Sequence, residues 1–264
     1  MNVLVFVKQV PDTETRIQIQ NGAVDTTSVK WVANPYDEFA IEEALRIRER
    51  AGAGAGKVTV VSLGPDRVKE AIKYALSLGA DEGVHVKGDG VALDDPLSAA
   101  TVLAAAARKA GFDLILTGKQ AVDQDHGATG VMLAELLDLP HVATVVGLEL
   151  DAATKKGRAR REVDGGEEHV EFDLPAVVTA QKGLNEPRYA SLKGIMGVKK
   201  KVIPEWTLAD LGVDPASVAP ANASVRTLEA SLPPPRPTGK LLEGEPGDTA
   251  RELVRLLREE AKVI

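Results

Sequence analysis

The stretch LTGKQAVDQDHGATG, residues 116–130, holds the residue types best suited to gripping an anion. Gly127, Ala128, Thr129 and Gly130 are small, so a ligand can approach the backbone closely. They stand where a helical pattern starts, and exposed N–H groups and the helix dipole attract phosphate or carboxylate there. Asp123 and Asp125 have the chemistry to cap that helix, to orient the loop or to meet a ribose hydroxyl. On spacing alone, the segment serves equally well as an ordinary small-residue helix start. NPYDE, residues 34–38, is a second candidate. Pro35 holds Asn34 extended, and Asp37 is placed as a helix cap, a role that needs no ligand. VSLGPD, residues 61–66, is a third loop at a strand end and carries no reactive side chain.

Other chemistry is poorly represented. AGAGAGK at 51–57 has the look of a phosphate loop, but Lys57 is followed by Val58, and the segment follows a helix and precedes a strand. A phosphate loop needs G-x-x-x-x-G-K-[ST] in the opposite context, so the segment reads as a connector. His85, His126, His141 and His169 are scattered without the spacing of a metal site. No G-x-S-x-G nucleophile pattern accompanies His126. Neither a catalytic set nor a metal site is expected from this chain's own side chains.

A different surface is suggested by LNEPRYASLKGIMGVKKK, residues 184–201. It opens on a turn at Asn185-Glu186-Pro187 and then spaces Tyr189, Leu192, Ile195 and Met196 among small residues. It closes on Lys199, Lys200 and Lys201. Such a segment reads as an exposed loop: an apolar anchor supplies contact, and lysines steer an acidic partner.

The elements that must position these residues follow from periodicity. Residues 3–7, 57–63, 83–87 and 113–117 read as short buried strands. Helical patterns lie between them at 37–50, from Gly64-Pro65-Asp66 to Leu78, at 95–110 and at 129–138. This alternation predicts a parallel α/β sheet, which binds ligands beyond the carboxyl ends of its strands. Residues 11–30 are β-leaning with a hairpin turn at Asn21-Gly22. Strands are predicted at 142–150, 159–163, 167–173 and 176–181, with Asp164-Gly165-Gly166 as a turn. Residues 203–247, rich in proline and alanine, read as an extended arm. The arm leads to an amphipathic helix at 248–261, whose apolar face (Ala250, Leu253, Val254, Leu257, Ala261) needs a surface to pack on.

Composition narrows the class. The 264 residues carry a net charge of −7, and only 3% are aromatic, so the core is aliphatic. Acidity argues against broad nucleic-acid binding. The absence of cysteine excludes disulfides, thiolate catalysis, cysteine zinc sites and iron–sulfur ligation by this chain. The apolar run before Lys8 is shorter than a membrane span or signal core, so a cytoplasmic protein without membrane insertion is expected.

The residues VKQVPDT (7–13), NPYDEFAIEEALR (34–46), LTGKQAVDQDHGATG (116–130) and LPAVVTAQKGLNEPRYASLKGIMGVKKK (174–201) resemble the electron transfer flavoprotein beta subunits. The resemblance covers essentially the whole chain, and the last motif is long and specific. It implies a three-layer, adenine-nucleotide α-hydrolase-like core at 1–203, and a C-terminal arm and helix at 204–264 packing on an alpha subunit. It implies a heterodimer whose FAD is held mainly by the alpha subunit, with AMP bound by this chain in a structural role. Carried over, the AMP site uses Phe6, Asn34, Pro35, Tyr36, Asp37, Leu63, Gly118, Gln120, Ala121, Val122, Asp123, Asp125, Gly127, Ala128 and Thr129, with backbone N–H groups of 127–129 on the phosphate. The segment 188–202 resembles the family's recognition loop, in which Leu192 is the anchor, supported by Arg188, Tyr189, Ile195 and Met196. The partners implied are acyl-CoA and other flavin dehydrogenases, which deliver electrons, and a quinone-linked oxidoreductase, which receives them. The redox chemistry belongs to the flavin.

There are departures and rivals. Some relatives place an aromatic ring by the flavin where this chain has Thr13. Relatives that bifurcate electrons bind a second FAD in place of AMP, and DQDHGATG, with Thr129-Gly130, looks closer to the AMP type. The competing reading is a stand-alone adenine-nucleotide-binding enzyme or sensor built on the same α/β core.

Overall fold

Four consecutive apolar residues, Val3–Phe6, form strand β1 and are buried throughout. A strand buried on both faces needs helices on both sides. In the computed structural model, which describes residues 1–52, 54–236 and 238–264, β1 lies inside a large, mostly parallel sheet. Ala53, in the 51–57 connector, and Pro237, in the expected arm, lie outside the described residues.

After β1 come β2 (Gln9–Pro11), β3 (Ile19–Gln20), β4 (Ala23–Val24), β5 (Trp31–Ala33) and helix α1 (Pro35–Ala51). Then β6 (Val58–Gly64), α2 (Lys69–Leu78), β7 (Glu82–Lys87), α3 (Pro96–Ala110), β8 (Leu114–Gly118) and α4 (Thr129–Leu137) continue the expected alternation. The β-rich half follows as β9 (His141–Asp151), β10 (Lys156–Val163), β11 (Gly166–Asp173) and β12 (Ala176–Ala180). The last elements are α5 (Leu192–Val198), β13 (Glu205–Trp206), α6 (Leu208–Leu211) and α7 (Pro246–Glu259).

The main sheet runs β11-β10-β9-β12-β8-β1-β6-β7-β13. Pairing is parallel from β9 to β13 and antiparallel only at β9–β10–β11. Side chains alternate between the two faces of each strand. Val3, Val5, Val58, Val60, Leu114 and Leu116 join Ile41, Leu45 and Ile72 of α1 and α2. Leu4, Phe6, Val61 and Ile115 join Ala104, Ala107 and Leu133 of α3 and α4. The chain steps from β1 outward to β6 and β7, then crosses to β8 on the other side of β1. The strand order therefore reverses between β1 and β8, where sheets of this type form a ligand crevice.

Three expectations shift. The pairing of Val163 with Gly166 leaves a two-residue turn at Asp164-Gly165, with Gly165 at φ 85°, so Gly166 belongs to β11. Residues 188–202, expected as an irregular loop, contain the helix α5. The extended arm does not start at 203. Glu205 and Trp206 pair with β7, Thr207 and Asp210 form a reciprocal cap on α6, and Val218 is fully buried beside α3. Residues 205–222 thus pack on the core, and a two-residue strand is too short to show periodicity in sequence. Among the described residues, none of the helices is long and apolar enough to cross a membrane.

Candidate functional site

Two buried polar residues at the start of α1 lace the β8 loop to the end of β1. Asn34 Nδ2 donates to the Gln120 carbonyl at 2.9 Å, and Asn34 Oδ1 accepts the Val122 N–H at 3.2 Å. Asp37 Oδ2 accepts the Lys8 backbone N–H at 2.7 Å, and Oδ1 accepts the Gly118 N–H at 2.9 Å. Lys8 Nζ donates to Asp123 Oδ1 and Gln124 Oε1, each at 2.9 Å. Gln120 Nε2 donates to Asp125 Oδ1 at 2.7 Å. Burial pushes the Asp37 carboxyl up to about 7, against the opposing pull of the Lys8, Asn34 and Gly118 hydrogen bonds.

The loop conformation is tightly specified. A Cβ on Gly118 would collide with the Asp37 carboxylate and lie 2.7 Å from Tyr36 Cβ, so only glycine lets β8 end against α1. Asp125 and Gly127 both take left-handed backbone, φ 52° and 60°, turning the chain into α4. Helix α4 begins at Thr129 behind Ala128, with no side-chain cap. Its first N–H groups are thus left without the carboxylates expected to cap them: Asp123 is held by Lys8 and Asp125 by Gln120. Nor does Asp37 cap α1, whose N-cap residue is Asn34, with Pro35 first in the helix. Sequence shows only local neighbours, so the longer-range duties of these acids were hidden.

The remaining expected residues surround the same point. Phe6 is buried at the end of β1, and Leu63, half-buried, packs in the same cluster. Tyr36 is half-buried with the Lys119 ammonium 5.1 Å from its ring centre. Pro35 is exposed, while Ala121, Ala128 and Thr129 are half-buried. The ensemble is a backbone-rich, small-residue cradle at the strand-order reversal. It suits an anion-bearing ligand, and it does not set a nucleophile beside a base.

The second surface is helical. Ser191 caps α5 by accepting the Gly194 N–H. Around it Tyr189 is 97% exposed, Leu192 82%, Met196 69% and Ile195 50%, far more than a core helix of this composition would leave in water. Gly194 has no room for a Cβ against the Ser77 carbonyl, which seats α5 directly on α2. Arg188, expected to face a partner, instead grips α1 through Glu42 and Glu49. Lys201 is also engaged, donating to the Ala80 and Asp81 carbonyls at 2.6 and 2.9 Å, whereas Lys199 and Lys200 are exposed. A cleft of about 540 Å³ runs beside this contact, lined by Lys73, Tyr74, Ser77, Ile195, Val198 and Lys199 among others. Lys73 and Tyr74 were not legible as part of this surface, because nothing in the sequence pairs α2 with α5.

Helix α7 buries none of its residues. Leu253 and Val254 of its apolar face stay 48% and 45% exposed, and Leu228 and Leu241 in the preceding arm 97% and 84%. That face is unpartnered within the described residues.

Comparison with known proteins gives one consistent answer. A family model described as the Electron transfer flavoprotein domain matches residues 21–211. The chain is 42% identical over 265 residues to the electron transfer flavoprotein subunit beta of Bacillus subtilis (strain 168), covering 100% of both chains. It is 40% identical over 269 residues to that of Mus musculus, covering 100% of this chain and 99% of the relative. The Syntrophomonas wolfei subunit beta is 37% identical over 263 residues, covering 100% and 98%.

Proposed function

This chain belongs to the electron transfer flavoprotein family, on the beta-subunit side, and from that premise we propose that it is the non-catalytic platform of a heterodimeric electron carrier. It binds AMP in the cradle between β1 and β8 and presents α5 to the dehydrogenases that deliver electrons. Its C-terminal arm and α7 pack on an alpha subunit that holds most of the FAD. The flavin, when bound in that assembly, supplies the electron storage, and a quinone-linked oxidoreductase drains it.

The observation that carries the nucleotide reading is the uncapped start of α4 beside a loop that Asn34 and Asp37 hold rigid. Backbone N–H groups of Gly127, Ala128 and Thr129 are the phosphate donors, positioned before any ligand arrives. The small side chains let the phosphate come close, and Tyr36 with Lys119 and the aspartates border the remainder. AMP here has a building role: it joins the start of α1 to the β8 loop. The core belongs, in this reading, with the adenine-nucleotide α-hydrolase-like sheets.

Docking rests on α5. Full burial of a leucine side chain stabilises a contact by ~1.5–3 kcal/mol, enough to select a partner and weak enough to release it after each transfer. Exposed Lys199 and Lys200 favour acidic partners.

The deciding experiment is to denature the purified protein and identify the released nucleotide by chromatography and mass spectrometry. AMP at one equivalent per chain is expected, with FAD at one per heterodimer. Two FAD per heterodimer would reassign the cradle to flavin. A colourless chain that purifies alone and hydrolyses ATP would overturn the carrier reading.

A further inference from the structure

Strands β6, β7 and β13 bring together three side chains that lie far apart in sequence: Asp66, His85 and Glu205 each present a donor atom within 4.8 Å of the others. His85 is 1% exposed and pairs in register with Glu205 across β7 and β13. Its Nε2 lies 2.8 Å from the Gly64 carbonyl. A carbonyl only accepts, so Nε2 carries the proton, and in the neutral ring Nδ1 is a bare lone pair. That Nδ1 is buried and has no hydrogen-bond partner among the described residues. It faces Asp66 Oδ1 at 3.9 Å and Glu205 Oε1 at 4.0 Å.

These distances are too long for hydrogen bonds. They are close to what two ligands of one ion need: tetrahedral zinc, about 2.1 Å from each donor, holds its ligands about 3.4 Å apart, so the side chains would draw in by about 0.5 Å on binding. The outer half of the arrangement is also that of a metal-bound histidine, whose second nitrogen donates to a backbone carbonyl. A lone pair and two carboxylate oxygens facing one point repel one another unless a cation stands among them. The cation present is the Lys69 ammonium, 2.5 Å from Glu205 Oε1 and 3.3 Å from Asp66 Oδ1, the same two oxygens. Lys87 holds the other oxygen of Glu205 at 3.1 Å.

We propose that Asp66, His85 and Glu205 form a binding site for a borderline-soft divalent transition ion such as zinc, with Lys69 as its built-in competitor. The side chain of Lys69 is a quarter exposed and can swing to solvent when the ion enters. One imidazole and two carboxylates suit zinc, whereas magnesium and calcium prefer all-oxygen shells. The bound ion would staple β13, and with it the segment that follows α5, to the β6–β7 edge. The inference does not depend on the electron-carrier reading.

The test titrates zinc chloride into the full-length chain, in the assembly in which it purifies and stripped by chelator, with calorimetric detection. One zinc per chain is expected, and magnesium chloride should give no comparable heat. His85→Gln and Glu205→Gln should each weaken binding by at least about 10- to 100-fold, the loss that even an outer-shell partner causes, and Lys69→Met should tighten it. Should the buried His85 variant fail to fold, the partly exposed Glu205 and Lys69 variants carry the test. Zinc heats unchanged by Glu205→Gln, no site in the wild type, or no gain in Lys69→Met would each overturn the proposal.

Discussion

Asp37 and Gly118 stand 81 positions apart, and the carboxylate of the first accepts the backbone N–H of the second at 2.9 Å. The other oxygen of Asp37 accepts the Lys8 N–H, so one side chain clamps the ends of β1 and β8 at the strand-order reversal. Burial raises its carboxyl from 3.8 to about 7. Between those values the folded chain binds more protons at this group than the unfolded chain does. Asp37's contribution is therefore favourable below the lower value, and stability is lost as pH rises through the window. Asp37→Asn removes this titration, and its amide sets an N–H₂ against one of the two donors, costing ~1–3 kcal/mol. Denaturant melts of both proteins from pH 4 to 7, about the width of the window, should show the wild type losing stability relative to the variant as pH rises. Parallel curves would remove Asp37 as the titrating group.

Arg188 couples the segment before α5 to α1. Its guanidinium reaches Glu42 at 2.7 Å and Glu49 at 2.6 Å. Burial alone would raise Glu42, but hydrogen bonds from Arg188 and Arg46 outweigh it and hold the carboxyl below its usual range. Arg188→Met should cost ~1–3 kcal/mol, because the nearly buried Glu42 then loses its fork of donors. Arg188→Lys should recover little, since an ammonium cannot reproduce that fork. Equilibrium unfolding measures the loss, and faster tryptic cleavage at Lys193 would report the loosened segment. A lysine variant as stable as wild type would show the fork to be unimportant.

Much of this was legible in the sequence where the signal is local. The apolar runs 3–7 and 113–117, the proline-led start of α3 and the small residues before α4 fixed the sheet and the loop that matters. What was hidden is non-local. Asp37 looks like a cap from its neighbours, and only the fold sets it between Lys8 and Gly118. Glycines at 194 and 197 break the helical pattern of α5, yet Gly194 is required where that helix touches Ser77. Residues 205–222 read as arm because proline and alanine are frequent there, while two aliphatic side chains, Leu208 and Val218, do the burying.

Leu192 offers the cleanest separation of docking from folding. At 82% exposure it contributes little to the fold, so Leu192→Ala should change stability by no more than ~0.5 kcal/mol. If its side chain is the anchor on a dehydrogenase, losing ~1.5–3 kcal/mol of contact weakens docking about 10- to 100-fold. Electron acceptance from an acyl-CoA dehydrogenase, followed as kcat/KM for the carrier, should fall accordingly while flavin and AMP content stay at wild-type levels. An unchanged kcat/KM would withdraw the anchor assignment.

The C-terminal arm should prove separable from the core. The Ala92 N–H donates to the Val218 carbonyl at 2.8 Å, which pins the chain to the core just before the arm. Leu228 beyond it is 97% exposed, and α7 buries nothing. A chain ending at Thr227 therefore loses no core contact, and its unfolding free energy should match that of the full chain alone within ~0.5 kcal/mol. The apolar face of α7 is a different matter: four or five aliphatic side chains left in water are stable only if something covers them. Co-expression with an alpha subunit should give a yellow complex for the full chain. The truncated chain should give a folded protein that retains AMP but fails to hold the alpha subunit through gel filtration. Truncation that unfolds the core would place α7 against this chain, and a truncated chain that still elutes as the yellow complex would free the arm of any role in assembly.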